Sequence, residues 1–152
     1  MASDFLIDAN LLLYAVDRSD LRKWRQASAL LDTLRSGFQA AVSTQTLAEF
    51  YNAATRRLAD PLSPHVALHT TLSYAETFTV CEVTLPIVLE VARAAAEHQM
   101  SYWDAQVWAT AKLNQIPFVL SEDLQGWQSL EGVHFLNPFA DDFDLSAVVR
   151  VR

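Results

Sequence analysis

Apolar residues along the chain follow two rhythms. Phe5-Leu6-Ile7 is a short continuous run that stops at Asp8, the pattern of a strand buried on both faces. Strand-like runs recur at Gln39 to Ser43, Phe78 to Val83, Pro117 to Leu120 and Val133 to Leu136. Between them the apolar spacing changes to that of a helix. Leu21 to Arg35 puts Trp24, Ala27, Leu31 and Leu34 on one face, with Gly37 as the stop. Thr44 to Leu58 stacks Leu47, Phe50, Tyr51 and Ala54 and ends before Asp60-Pro61. Ser63-Pro64 opens a helix to about Thr77, with proline in its first turn. Thr84-Leu85-Pro86 opens another to about Gln99, and Ser101 to Gln115 is the last long helix. A short helix starts at Leu11, where Asn10 is placed to cap it. Strands alternating with helices predict an α/β fold with a parallel sheet covered on both faces. No repeat, low-complexity tract or linker divides the chain before Asn137-Pro138. Residues 1–138 are therefore expected to form one domain and residues 139–152 a C-terminal tail.

Four carboxylates gain meaning from this arrangement. Asp8 follows the first strand directly, and Asp123 follows the strand at Pro117 to Leu120 after Ser121-Glu122. In an open α/β sheet, ligands sit beyond the carboxyl ends of the strands. If these two strands are neighbours, the two aspartates share one cleft; each alone is also an ordinary turn residue. Asp104 shares a helical face with Val107, Trp108 and Ala111, and a carboxylate there needs a partner, a metal or a raised pKa. Ser101 and Asp104 also have the spacing of a capping box. Glu49 lies opposite the core stripe of its helix with Gln45, Asn52 and Arg56, a row that is either solvated or lines a polar cleft. Carboxylates directed to one end of a fold repel unless a cation neutralises them. An all-oxygen donor set prefers Mg²⁺ or Mn²⁺ to zinc.

Charge and composition limit the partners. Eleven Lys and Arg against eighteen Asp and Glu give a formal charge of −7. That argues against simple electrostatic wrapping of nucleic acid, but not against a nucleic-acid enzyme whose acidic site takes metal ions. The basic residues concentrate in one place, Arg18, Arg22, Lys23 and Arg25, shortly after Asp8, where they could hold an RNA backbone or form a solvated helix start. Arg56 and Arg57 are further candidates. A single cysteine, Cys81, excludes an internal disulfide framework and suits a reducing cytoplasm. Met1 to Asp8 lacks a basic n-region, so no signal peptide is expected. No apolar run approaches the length that spans a bilayer.

Four segments, Leu6-Ile7-Asp8-Ala9-Asn10, Leu47-Ala48-Glu49-Phe50, the run from Asp104 to Ala111 and the run from Leu120 to Gln125, together resemble the PIN-domain ribonucleases. The resemblance is nearest to the VapC-type toxins of bacterial toxin–antitoxin operons and extends from Phe5 to Pro138. It implies a three-layer sandwich with strand order 3-2-1-4-5, so that Asp8 and Asp123 stand on adjacent strands. It implies a Mg²⁺- or Mn²⁺-dependent endoribonuclease whose catalytic and metal-binding acids are Asp8, Glu49, Asp104 and Asp123. Asn10 and Ser121 match the polar residues that accompany the first and last acids. An RNA substrate, a cognate antitoxin and a homodimer follow from the same likeness.

Two other readings stay open. The chain could be an inactive PIN-like module that binds RNA or protein. It could also be a phosphatase using Asp8 as nucleophile, although the second acid expected two residues later is Asn10 here. Other side chains are assigned plainer roles. Glu122 is expected to be a solvated turn residue, because adjacent side chains rarely aim at one point. His65, His69, His98 and His134 form no zinc pattern. Trp108 is placed in the core, while Trp103 and Trp127 could stack on bases, Trp127 being preferred from its position after Gly126.

Overall fold

The computed structural model describes residues 3–124 and 127–150. Gln125 of the last motif, Gly126, the first two residues and the end of the tail lie outside them. The elements follow in the order β1 (Phe5–Ile7), α1 (Ala9–Tyr14), α2 (Leu21–Gly37), β2 (Ala40–Ser43), α3 (Thr44–Arg56), α4 (Pro64–Thr77) and β3 (Thr79–Cys81). After these come α5 (Leu85–His98), α6 (Tyr102–Leu113), β4 (Phe118–Leu120), β5 (Ser129–Leu130), β6 (Val133–Leu136) and α7 (Leu145–Arg150).

Alternation along β1 divides the interior into two layers of core. Phe5 and Ile7 point into one with Leu11, Leu31, Leu34, Val42, Phe50 and Tyr74, beneath α1 to α4. Leu6 points into the other with Ile87, Val91, Trp108 and Val119, beneath α5 and α6. The sheet order is β3-β2-β1-β4-β6-β5, parallel throughout except for the β5–β6 hairpin. The five strands expected from the sequence thus stand in the implied order, and the structure adds a two-residue edge strand, β5. Its turn onto β6 needs Glu131 and Gly132 at positive φ, 47° and 87°, the conformation that two-residue hairpins favour.

Two further differences concern chain ends. Asp8, not Asn10, caps α1: its carboxylate accepts from the Ala9 N–H, and the helix begins two residues earlier than the apolar run suggests. The segment after Pro138 is docked, with Phe139 and Leu145 buried in the first core and α7 formed beyond them. Among the described residues no helix is long and apolar enough to cross a membrane.

Candidate active site

The parallel strands deliver their carboxyl ends to one edge, and two of them carry the centre of the site. Ile7 and Leu120 are paired in register, so Asp8 and Ser121 emerge side by side. The backbone locks the exit, with the Asp8 N–H donating to the Leu120 carbonyl at 3.0 Å and the Ser121 N–H to that of Leu136 at 3.0 Å. Strand β2 ends beside them at Ser43, whose hydroxyl caps α3 through the Thr46 N–H and so starts the helix bearing Glu49. Ser101 caps α6 through the Asp104 N–H, one half of the expected capping box. Asp104 therefore sits in the first turn of α6, where the helix dipole favours a negative charge.

A cleft of about 810 Å³ opens at this edge and is lined by all four predicted acids, Asp8, Glu49, Asp104 and Asp123, together with Asn10. Asp8 lies at its base, only 8% exposed. Its Oδ1 accepts from the Ala9 N–H at 2.8 Å and its Oδ2 from the Ser121 hydroxyl at 2.7 Å. The Ser121 oxygen in turn accepts from Asn10 Nδ2 at 3.1 Å and from the Asp123 N–H at 3.2 Å. Asn10 Nδ2 also donates to Asp123 Oδ2 at 3.1 Å, while its Oδ1 accepts from the Glu122 N–H at 3.3 Å. Those partners fix which end of the amide is oxygen. Across the cleft, Gln45 Nε2 donates to Glu49 Oε1 at 2.7 Å and to the Trp103 carbonyl at 3.4 Å.

Electrostatics single out Asp8. Burial pushes its carboxyl up to about 6, hydrogen bonds from Ser121 and Ala9 oppose the rise, and the nearby Glu49 and Asp123 charges add to it. Among the described residues, no lysine, arginine or histidine forms an ion pair with any of the four acids. Nor do any three of the described His, Cys, Asp or Glu side chains stand close enough to hold a metal between them. The donors nonetheless fit a hard divalent cation. They are all oxygen, their charge is uncompensated, and Mg²⁺ keeps several waters and is usually bound through one or two carboxylates. Carboxylates without a counter-ion are expected to stand apart.

The basic cluster is more committed than its sequence suggests. Lys23 is tied to Glu122 at 2.6 Å and Arg22 to Asp141 at 3.3 Å, while Arg18 lies over the Trp24 ring. Arg25 is exposed. Glu122 turns away from the cleft as expected, but into its pair with Lys23, not into solvent. The tryptophans also rearrange. Trp108 is fully buried, and Trp127 is half-buried against the second core. Trp103, 62% exposed, is the one that lines the cleft. His98 meets Glu131, whereas His65, His69 and His134 are exposed. Sequence reasoning did not single out Gln106, whereas Gln45 and Asn52 come from the row beside Glu49 for which a polar cleft was one of the two readings. A buried glutamine inside the apolar run of α6 was the available signal for the first.

The PIN domain family matches residues 5–130 of the chain. The chain belongs to the PIN-domain family. A search of curated proteins finds no significant match. Solved structures similar to this PIN domain include DNA-bound VapBC from Salmonella typhimurium, at TM-score 0.67 and 15% identity over 91% of this chain and 99% of that one. A toxin–antitoxin complex from Klebsiella pneumoniae gives 0.63 at 21% identity, covering 88% and 97%. VapC20 of Mycobacterium tuberculosis, described as a toxin cleaving the sarcin-ricin loop, gives 0.61 at 17%, covering 76% and 86%. At these identities the likeness is one of fold.

Proposed function

We propose that this PIN domain is a Mg²⁺- or Mn²⁺-dependent endoribonuclease and the toxin of a type II toxin–antitoxin pair. The observation that carries the reading is the cleft itself: four acids from four separate segments line it, and none is neutralised by a described basic side chain. Membership of the PIN family and the fold shared with a sarcin-ricin loop cleaving toxin and with toxin–antitoxin complexes support it. Asp8, Glu49, Asp104 and Asp123 are the proposed metal-binding and catalytic acids. A divalent cation held by them supplies Lewis-acid polarisation of the phosphodiester and a water nucleophile at neutral pH. Ser121 and the Ala9 N–H fix both oxygens of Asp8, so the carboxylate needs no reorganisation to act. Asn10 holds one oxygen of Asp123, Oδ2. In the proposed hydrolysis a water oxygen bonds to phosphorus in line with the departing 3′ oxygen, which leaves as a hydroxyl.

The substrate strand would be held by side chains around the acids. Arg57 and Asn52 line the cleft beside the exposed Trp103 ring, and Arg22 and Arg25 extend from α2. The antitoxin partner and a homodimer belong to the same proposal, the latter supported by exposed Leu85, Val88 and Leu89 on α5. So does a cytoplasmic location, which suits the free Cys81 thiol. The test is cleavage of a mixed RNA substrate with Mg²⁺ or Mn²⁺ and with chelator, for wild type and for Asp8→Asn. Metal-dependent cleavage that falls at least about a hundredfold in the variant is expected, since one group acting at the reacting centre is lost. RNA binding without cleavage by the wild type would instead favour a binding module, and phosphate release from a small phosphoester a phosphatase.

A further inference from the structure

Lys23 is enclosed in a way that neither a solvated helix start nor an RNA anchor explains. It stands in the first turn of α2, its own N–H held by the Asp20 cap at 3.1 Å. Its Nζ donates to Glu122 Oε1 at 2.6 Å and to the Tyr14 hydroxyl at 3.3 Å. The Tyr14 hydroxyl donates to the same Glu122 oxygen at 3.4 Å. The ammonium also lies 4.7 Å from the Tyr14 ring centre and 5.4 Å from that of Phe139, and the two rings meet edge to face at 5.0 Å. Its side chain is 28% exposed and that of Glu122 20%. Removing the lysine would leave a largely enclosed carboxylate unpaired, which is costly.

What this cage grips is the short segment that carries the site. Tyr14 is the last residue of α1, the helix that Asp8 caps. Glu122 lies between Ser121, which binds Asp8, and Asp123, which Asn10 binds. The Glu122 side chain points away from the cleft while its N–H is held by Asn10, so a pull on the carboxylate sets the backbone from which Asp123 projects. We propose that Lys23 is a positioning residue: through Glu122 it holds the Ser121–Asp123 turn against Asp8 and Asn10, with Phe139 of the C-terminal segment closing the cage. The consequence for catalysis rests on the nuclease reading above. The consequence for the turn does not.

The experiment compares Lys23→Met, which keeps the stem and removes the charge, with Lys23→Arg, which restores a cation. Three measurements are made: amide hydrogen exchange at Glu122 and Asp123, Mn²⁺ affinity in the absence of RNA, and the kinetics of RNA cleavage, giving kcat and KM. Lys23→Met is expected to speed exchange at the two turn amides by about tenfold with core amides unchanged. It should weaken Mn²⁺ binding several-fold and lower kcat by about tenfold, with KM for RNA moved less than about twofold. Lys23→Arg should recover most of each loss. Adding Glu122→Gln to Lys23→Met should cost nothing further, because the two act as one unit. That double variant, which removes the orphaned carboxylate, serves if the single one fails to fold. A raised KM at unchanged kcat, or unchanged exchange at the turn, would overturn the proposal; the first result would make Lys23 an RNA contact. If the wild type does not cleave RNA at all, the nuclease reading fails, while exchange and Mn²⁺ affinity still decide the role of Lys23.

Discussion

Asp8, at the carboxyl end of β1, and Glu90, in α5, are both withdrawn from solvent, yet the fold drives their acidities in opposite directions. Glu90 accepts from Arg93 Nη2 at 2.5 Å and from Lys112 Nζ at 2.6 Å, and those two cations hold its carboxyl down at about 2. Glu131 joins the same cations at 2.9 and 3.3 Å, and both cations lie over the face of Trp108. The network ties α5 and α6 to the β5–β6 turn, a structural task. Around Asp8 the neighbours are hydroxyls, amides and other carboxylates, and its carboxyl rises to about 6. The same residue chemistry is thus compensated in one place and left uncompensated in the other. Acids that a fold declines to pair with its own cations are the ones available to an external cation.

The sharpest test of this contrast is Asp8→Asn in metal-free protein. A raised carboxyl stabilises the fold below its unfolded pKa, 3.8, and that contribution is lost as pH rises through about 6. At pH 7 the wild type therefore carries a penalty that the variant lacks. The net rise of its carboxyl, from burial and the neighbouring carboxylates against the Ser121 and Ala9 hydrogen bonds, sets the ceiling at about 3 kcal/mol. Asparagine offers one acceptor where Asp8 uses two, so the net gain is expected at about 1–2 kcal/mol. Thermal melts should show the variant ahead at pH 7 and the gap closing by about pH 4. Millimolar Mg²⁺ should then raise the wild type more than the variant, because binding to the folded state shifts unfolding by mass action. A variant that melts below wild type at pH 7 without metal would make Asp8 a structural cap and remove the contrast.

Glu90→Gln probes the other side with the opposite sign. A depressed carboxyl contributes stability above its unfolded pKa, 4.5, and loses it as pH falls through about 2. The variant should be less stable at pH 7 by about 1 kcal/mol after solvent screening, and equal to wild type only at the acid end of that window. Melts at pH 7 and in a series down to pH 2 check it. Cleavage should be unaffected, since Glu90 does not line the cleft.

What could be read in advance divides along physical lines. β1 was legible because a strand buried on both faces must be apolar throughout, and Phe5, Leu6 and Ile7 are all fully buried. β5 was not, since two edge residues, one exposed and one half-buried, carry no period. Asp8 escaped notice as a cap because the apolar run after it begins at Leu11, although aspartate is itself a preferred cap. The four acids were legible from their places after strands and on helices, and from a family resemblance. The Lys23–Glu122 pair joins residues 99 apart in sequence, and no local spacing announces it.

The smallest expected effect concerns the cations that neither region consumes. The acid network takes up Arg93 and Lys112, and the cage takes up Lys23. In the first turns of α2 that leaves Arg25, which is exposed, and Arg22, whose pair with Asp141 is 70% and 98% exposed and so adds little to stability. If these two hold the RNA backbone, Arg22→Gln with Arg25→Gln should weaken RNA binding only a few-fold at physiological salt. The more telling readout is the salt dependence, because each lost phosphate contact on a single strand flattens the plot of log affinity against log salt by about 0.7. A double variant should therefore lose about 1.4 from the slope, equally for RNAs of different sequence, with the stability of the fold unchanged. Fluorescence anisotropy across a salt titration measures it, using Asp8→Asn as background so that the RNA stays intact. A slope that does not move would return both arginines to the solvated surface and leave Arg57, in the cleft itself, as the nearer candidate for holding the strand.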